Sequence, residues 1–251
     1  MRKPMAVAAA LALPVLFPAA ALADAHDGAE TYVAQLGALN SSGASGTAEV
    51  TLEGDQLTVM VTASGLLADQ PHAQHIHYPE EGEGSCPTGD ADEDGDGFVN
   101  TSEGAPFYGG IVVSLTTEGD VTPDSGLAID RFPTAPGGEV MYERTFTVPE
   151  GFDAAEDLTE SVIVVHGIDA NDNGEYDMDG AGASDLDESL PAEATNPALC
   201  GALSPAGEGG VPSGLGGSNG IENSALMLAG AGSIAAAAGV VLYSRRRSTQ
   251  A

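Results

Sequence analysis

The sequence has very few basic residues: seven lysines and arginines stand against 38 aspartates and glutamates. Five of the seven lie close to the two ends of the chain. Only Arg131 and Arg144 remain to face the 38 carboxylates, which leaves a formal charge of −36 between the ends. This charge excludes nucleic acid and anionic lipid as partners of the acidic part, because both would be repelled. Such a domain needs bound cations or high salt to screen its self-repulsion.

The two ends of the chain predict export and membrane anchoring. Residues 1–23 combine a basic start, an Ala/Leu/Val run and a small-x-small ending, which is typical of a secretory signal peptide. Residues 224–243 are uncharged and precede a basic tail at 244–251, which predicts a transmembrane helix with a cytoplasmic C-terminus. A packed soluble helix is the alternative for this segment. We therefore expect an exported domain at 24–203, joined by a Gly/Ser/Pro-rich linker at 204–223 to an anchor in the cell membrane.

Cysteine is also scarce, since the chain has only Cys86 and Cys200. In an exported protein an even number of cysteines usually means a disulfide. This bond would close a loop of more than 100 residues, which stabilises a fold by about 4–5 kcal/mol in the chain-entropy model. A pair of thiolate metal ligands is the alternative, which an oxidising compartment disfavours.

Between the ends the sequence is typical of an all-β protein. Short runs rich in Val, Thr and Leu alternate with Gly, Ser and Asp, as in antiparallel strands joined by turns. No long amphipathic helix is expected before the anchor. We expect about seven or eight strands in a sandwich or Greek-key barrel. The expected strands are 32–39, 46–52, 56–63, 72–78, 111–117, 141–148, 161–166 and the chain around Cys200.

Histidines are concentrated in one segment, which holds His72, His75 and His77. Residues i and i+2 of a strand point to the same face, so His75 and His77 would present two imidazoles side by side. His72 would point away from them. A further histidine, His166, ends the apolar run 161–166. The pair and the single histidine predict a copper or zinc site closed by tertiary structure. Ordinary hydrogen-bonded strand histidines are the alternative.

A second chemical signal is the segment 92–103, which matches the calcium loop D-x-D-x-D-G-x₅-E at every position. Gly97 permits the sharp turn, and Val99 stands where a side chain normally packs inward. Proline and glycine on both flanks leave no room for helices, so we expect a structural staple rather than a helix-loop-helix switch. The expected ligands are Asp92, Asp94, Asp96, the Phe98 carbonyl, Asn100 and Glu103.

A less complete copy of this loop begins three residues after His166. It has the turn glycine, Gly174, but its twelfth position is Gly180, so the closing glutamate is missing. Carboxylates that would have to fold back to replace it are Asp179, Asp185, Asp187 and Glu188. A solvated acidic loop is the alternative. The residues of this second calcium loop are Asp169, Asn171, Asn173, Glu175 and Asp177.

Together these residues resemble the CHRD (chordin-type) domain and the related Cu/Zn superoxide dismutase-like β-barrel. The resemblance rests on Ala73-Gln-His-Ile-His77, on the Val-Val-His strand that ends at His166 and on the two cysteines. It covers roughly 32–203. It implies a Greek-key barrel, a structural role for His72, copper ligands at His75, His77 and His166, and a disulfide between Cys86 and Cys200.

The sequence also departs from this family. No histidine lies between His77 and His166, so the copper–zinc bridging ligand and the other zinc histidines are missing, and the calcium loop stands in the zinc region. The family's guiding arginine has no counterpart in Asn196-Pro-Ala-Leu-Cys200. The negative charge moreover repels superoxide. The sequence therefore favours a non-enzymatic, calcium-stapled metal-binding module at the cell surface, whose protein or surface ligand it does not name. A copper-only dismutase-like oxidoreductase and a structural protein without a transition metal are the alternatives.

Overall fold

The structure, a computed structural model, describes residues 28–80 and 84–207. The predicted signal peptide at 1–23, the anchor at 224–243, the tail at 244–251 and most of the linker lie outside these residues. Among the described residues, no helix has the length and apolar character needed to cross a membrane.

Strands dominate the described part of the chain, as predicted. They form one antiparallel sheet that curls into a half-barrel, in the order β5-β4-β7-β8-β1-β2-β3-β6, with β9 paired to β1. Each of the eight expected runs overlaps a strand, although 111–117 extends three residues past the end of its strand and 72–78 begins two residues early. The short β9 was not expected. The strands are β1 (Glu30–Ala38), β2 (Ser45–Glu53), β3 (Gln56–Ser64), β4 (Gln74–Tyr78), β5 (Gly110–Ser114), β6 (Glu139–Thr147), β7 (Val162–His166), β8 (Pro197–Ala202) and β9 (Ser204–Pro205).

Helices in the described part are short and lie in the connections between strands. They are α1 (Thr101–Tyr108), α2 (Ala154–Asp157), α3 (Met178–Ala181) and α4 (Ala192–Thr195). Five single turns of 3-10 helix accompany them, at Gly89–Ala91, Pro123–Ser125, Ile129–Arg131, Pro136–Gly138 and Leu158–Glu160.

Helix α1 corrects the expectation that neither flank of the loop at 92–103 has room for a helix. The helix begins inside the loop, because Asn100 caps it: the Asn100 side chain accepts from the Glu103 N–H, and the Glu103 carboxylate accepts from the Asn100 N–H. Pro106 removes one N–H near the helix end, and α1 stops at Tyr108. Among the described residues 84–91 on the entry side, the one helical turn is the 3-10 turn Gly89–Ala91, so no helix pair flanks the loop there.

The sheet has a main core on one face and a smaller buried cluster on the other. On β7, Ile163 and Val165 belong to the main core, whereas Val162 and Val164 belong to the smaller cluster, with Tyr108. Because successive strand residues point to opposite faces, His166 falls on the face of Val162 and Val164. The histidines of β4 likewise alternate with the core residue Ile76. All three therefore lie on the outer face, beneath the connections that cover it.

The disulfide between Cys86 and Cys200 is present, which confirms the pairing expected from the cysteine count. The two Cα atoms lie 5.7 Å apart, and the bond joins residues 114 positions apart in the chain. Cys200 lies on β8 within the smaller cluster, and Cys86 packs against that cluster. The bond therefore ties the segment that leads into the loop at 92–103 to the sheet, on the same face as the histidines.

Candidate metal centre

Three imidazoles converge on the outer face of the sheet. His75 and His77 project from β4, and His166 ends the neighbouring strand β7. One nitrogen from each ring lies within 4.8 Å of the others. All three side chains are buried, with at most 3% of their surface exposed. The strand pairing shifts register beside His77 and again beside His166, and such bulges re-aim side chains next to functional sites.

Each of the three rings is oriented by a backbone carbonyl. A carbonyl only accepts, so the bonded ring nitrogen must carry the proton in the neutral ring, and the other nitrogen is left as a lone pair. These free nitrogens are His75 Nδ1, His77 Nε2 and His166 Nε2, and all three are buried without a hydrogen-bond partner in the described part of the chain. The orienting bonds run from His75 Nε2 to the Gly126 carbonyl at 3.0 Å, from His77 Nδ1 to the Gly109 carbonyl at 3.0 Å, and from His166 Nδ1 to the Thr195 carbonyl.

A buried nitrogen without a hydrogen-bond partner lowers the stability of the fold by about 1–3 kcal/mol. Three such nitrogens close to one another therefore need an explanation. Histidines that bind a metal through one nitrogen commonly donate the other N–H to a carbonyl or carboxylate. The residues present therefore fit a transition metal held by three neutral imidazoles.

Burial keeps these imidazoles neutral. Desolvation, together with the smaller effect of the neighbouring His166, lowers the pKa of His77 from 6.5 to about 3. Desolvation lowers the pKa of His166 to about 4, partly offset by the Thr195 carbonyl. The pKa of His75 falls well below its ordinary value through burial, with smaller contributions from His166 and His77. The lone pairs are thus available to a metal at neutral pH, without competition from protons.

Acidification is expected to destabilise the metal-free protein through these rings. Below pH 6.5 these two histidines take up protons in the unfolded chain but stay neutral in the folded protein. Their contribution to stability is therefore complete above pH 6.5. It is lost as the pH falls toward the folded pKa, which is about 3 for His77 and about 4 for His166. Each ring contributes about 1.4 kcal/mol per pH unit, or about 2 kcal/mol between pH 6.5 and about pH 5. Urea unfolding of the metal-free protein at the two pH values measures the loss. His166→Gln should show a smaller loss by about 2 kcal/mol, and an unchanged pH dependence in that variant would contradict the assignment.

His72 lies apart from the other three histidines. Its Nδ1 lies 2.8 Å from the His166 carbonyl, and its Nε2 lies 3.0 Å from the Leu67 carbonyl. The Tyr176 hydroxyl is 3.3 Å from Nδ1. Burial lowers the pKa of His72. This side chain therefore fastens the end of β7 to a loop and has no nitrogen free for a metal.

A cavity of about 370 Å³ opens in front of the three imidazoles. It is covered by α1, by the segment from Pro123 to Ile129 and by α4. Asp124 is the one carboxylate among the described residues that line it, and neither lysine nor arginine is among them. Its apolar walls include Ala105, Tyr108, Ile111, Leu127, Ile129 and Leu186. A second depression, of about 520 Å³, lies next to Leu52 and Phe152, and its described lining contains no histidine or cysteine.

In the first acidic loop, carboxylates from Asp92, Asp94 and Asp96 come within 4.8 Å of one another. Burial, together with the charges of Asp94 and Asp92, raises the pKa of Asp96. The loop's N–H groups bind the carboxylates in a regular pattern: Gly97 N–H to Asp92 at 3.0 Å, Asp96 N–H to Asp94 at 3.0 Å and Phe98 N–H to Asp96 at 2.8 Å. Glu103 closes the loop by accepting from the N–H groups of Glu93 at 2.8 Å and Asn100 at 2.9 Å.

The second acidic loop repeats this pattern position by position. Gly174 N–H binds Asp169 at 3.0 Å, Asn173 N–H binds the Asn171 side chain at 3.1 Å, and Glu175 N–H binds the Asn173 side chain at 2.9 Å. Asp177 accepts from the side-chain amides of Asn171 and Asn173. The turn glycines also correspond, since Gly97 has φ 99° and Gly174 has φ 86°, a region that favours glycine.

Glu193, on α4, takes the place of the missing closing glutamate. Its carboxylate accepts from the N–H groups of Ala170 and Asp177, each at 2.8 Å. These are the second and ninth positions of the loop, which are the positions that Glu103 binds in the first loop. Glu193 is fully buried, and a buried carboxylate needs compensating charge.

None of the four carboxylates expected to fold back takes this role. Asp185 accepts instead from the Ser102 N–H, and Asp187 accepts from Ser189. Glu193 lies far outside the 12-residue frame of the loop, so the motif could not identify it. The one signal in the sequence is a glutamate between two alanines in a short apolar stretch.

Both acidic loops are connected to the segments that orient the imidazoles, the first along the chain and the second through Glu193. The first loop continues into α1, whose Thr101 hydroxyl donates to the Thr195 carbonyl at 2.7 Å, the carbonyl that also accepts from His166. The residue after α1, Gly109, provides the carbonyl for His77. Thr195 lies on α4 together with Glu193, which closes the second loop. The two loops are therefore connected to the carbonyls that orient two of the three imidazoles, His77 and His166.

Comparison with known proteins gives no match: no protein-family model fits the sequence, and no curated protein is similar to it. The resemblance to the CHRD domain and to the dismutase-like barrel therefore stays a prediction from the residues.

Proposed function

We propose that this protein is a copper-binding surface module, stapled by calcium and anchored to the outside of the cell membrane, with a CHRD-type or dismutase-like barrel. The observation that carries the proposal is the set of three buried, neutral imidazoles, each with one nitrogen held by a carbonyl and the other free. Imidazole ligands suit copper and zinc. Copper, when bound, supplies one-electron redox chemistry, and the chain's own residues orient the rings and surround them with apolar walls.

Calcium is assigned to the two acidic loops. The first loop matches the calcium motif at every position, and the second repeats its hydrogen-bond pattern with Glu193 as the closing carboxylate. Bound calcium would also neutralise part of the −36 charge. Outside the cell, millimolar calcium fills even weak sites of this kind.

Metal content of the purified protein tests the proposal. After dialysis against copper and calcium, we expect one copper and two calcium ions per chain by plasma mass spectrometry. His166→Ala should lose the copper and keep both calcium ions, whereas Glu103→Gln should lose one calcium ion. Copper retained at full stoichiometry in His166→Ala would contradict the proposed site. Zinc found in place of copper would show that the native metal of the site is zinc.

Glu193 gives a separate test of the second calcium loop. Because its carboxylate closes that loop, Glu193→Gln is expected to weaken one calcium site by about a hundredfold, which corresponds to about 2.7 kcal/mol. Calcium titration by calorimetry measures the loss. The matched control is Glu188→Gln, which removes the same charge from an exposed position nearby and should leave both sites intact. Equal calcium binding by the two variants would show that the second loop holds no ion.

A copper-only dismutase-like oxidoreductase is the second candidate, and the cavity favours it, because His75, His77 and His166 all line this space. The charge of the domain opposes it, since superoxide is an anion. Copper-dependent superoxide removal that disappears in His166→Ala would establish this activity. If the unaltered protein removes superoxide no faster than His166→Ala does, the enzyme is excluded and the binding module is the function that stands.

A further inference from the structure

The ligand class of the histidine cavity follows from its walls, and this inference rests on the proposed copper site. Apolar side chains form most of the lining. Two of them, Leu127 and Leu186, are 41% and 44% exposed, so the rim of the cavity is apolar as well. Such walls cannot solvate an ion, and an ion that entered would lose its hydration without compensation.

The described part of the chain offers no cation to the cavity. Its two arginines are both engaged with one loop, which runs from Thr116 to Ser125. Arg131 pairs with Asp120 at 3.2 Å, and Arg144 donates to the Thr116 carbonyl at 2.7 Å and to the Gly119 carbonyl. Both side chains would have to give up these bonds to reach an anion near the histidines.

Carboxylates lie where a guiding cation would be needed. Asp124 lines the cavity and is exposed. Asp185 is close enough to His166 for its charge to affect that ring, and the chain between its two basic ends carries −36. Clefts with one sign of charge and low-dielectric walls focus the field, so small anions are driven away from this opening.

We infer that the cavity admits neutral aromatic molecules with one nitrogen donor and excludes small anions. A cavity of about 150 Å³ holds benzene, so about 370 Å³ accommodates an aromatic ring with a second ring or a short chain. The donor atom would face the three imidazoles, and the apolar body would lie against Leu127, Ile129 and Leu186. The ligand is therefore recognised by its neutral apolar body, and not by charge.

The test compares a neutral probe with an anionic one on the full chain loaded with Cu(II) in calcium. The neutral probe is 4-phenylimidazole at about pH 8, where an imidazole is uncharged, and the anion is azide. Electron paramagnetic resonance and optical titration follow both. The change in the copper spectrum gives the affinity of each probe. We expect 4-phenylimidazole to bind at least about tenfold more tightly than azide, a difference of about 1.4 kcal/mol. Azide binding as tightly as 4-phenylimidazole would overturn the inference.

Charge reversal at the opening sharpens this test. Asp124→Lys places a cation in the lining and is expected to strengthen azide binding about tenfold, because two units of charge change close to the site. Asp130→Lys makes the same change at an exposed position outside the lining and should leave azide binding within about twofold. Equal azide affinities in the two variants would show that charge at the opening does not select the ligand.

A metal-free arm separates this inference from the copper proposal. Saturation-transfer NMR of 4-phenylimidazole with the metal-free chain reports on the apolar walls alone. If 4-phenylimidazole binds the metal-free chain and this binding disappears in Leu127→Asp, the cavity is an aromatic site. This result would hold even if copper proved to bind at another place. An absence of binding in both the metal-free and the copper-loaded chain overturns the inference while leaving the copper result as it stands.

Discussion

His77→Ala is expected to lower the affinity of the proposed site for copper by at least about a hundredfold. Removing an outer partner of a metal ligand already costs about tenfold to a hundredfold, and this change removes a ligand. Two imidazole ligands, His75 and His166, would remain, and two ligands hold a metal ion more weakly than three. Competition between the protein and a copper chelator, followed optically, measures the affinity of the variant against that of the unaltered chain.

The matched control is His72→Gln. His72 is as buried as His77, but both of its nitrogens face carbonyls and neither points at the site. We expect His72→Gln to lower the free energy of unfolding while copper affinity stays within about tenfold. A loss of copper in His72→Gln as large as that in His77→Ala would mean that the effect comes from general loosening of the fold. Unchanged affinity in His77→Ala would remove that residue from the site.

Chelation of calcium is expected to lower both the thermal stability of the protein and its affinity for copper. A ligand present at a hundred times its dissociation constant stabilises by about 2.7 kcal/mol, so each calcium ion removed should lower the unfolding midpoint by about 5–10 °C. Copper binding should weaken about tenfold, because the first loop continues into α1 and Glu193 joins the second loop to α4. Gly109, directly after α1, and Thr195, on α4, supply the carbonyls to His77 and His166. Scanning calorimetry and copper competition, each with calcium and with a calcium chelator, measure the two effects.

A pair of substitutions in the first loop controls for charge. Glu103→Gln removes the closing carboxylate, and Glu93→Gln removes an equal charge from an exposed neighbour in the same loop. Only Glu103→Gln should reproduce the effect of the chelator. If both variants, or neither, lower the midpoint, the loop does not act as a calcium staple. If the midpoint falls while copper affinity is unchanged, calcium and copper are independent.

The features that sequence predicts here are those set by local spacing. His75 and His77 share a face because strand residues alternate, and the first acidic loop is a continuous motif of 12 residues. The strands follow from short β-branched runs between turn residues. The disulfide follows from having only two cysteines in a chain whose sequence predicts export. In each case the physical cause lies within a few neighbouring residues or in a single count.

The features that sequence could not predict depend on distant parts of the chain. Glu193 reaches the second loop from a helix outside the loop's frame, and no rule of spacing connects them. The carbonyls that orient the imidazoles belong to residues of any type, since every residue has one. Asn40 binds the backbone of Val99, 59 positions away, at 2.7 and 2.9 Å. Helix α1 was missed because Pro106 and Gly104 argued against it, whereas the Asn100–Glu103 cap outweighed them.

Electron paramagnetic resonance of the protein with one equivalent of Cu(II), in calcium, tests the central claim most directly. The proposed site predicts hyperfine structure from three imidazole nitrogens, with the signal of one nitrogen lost in His77→Ala. A spectrum of oxygen-bound copper that is the same in the unaltered chain and in His75→Ala/His77→Ala would contradict it. The three histidines would then be structural, and calcium would be the metal that this domain is built to hold.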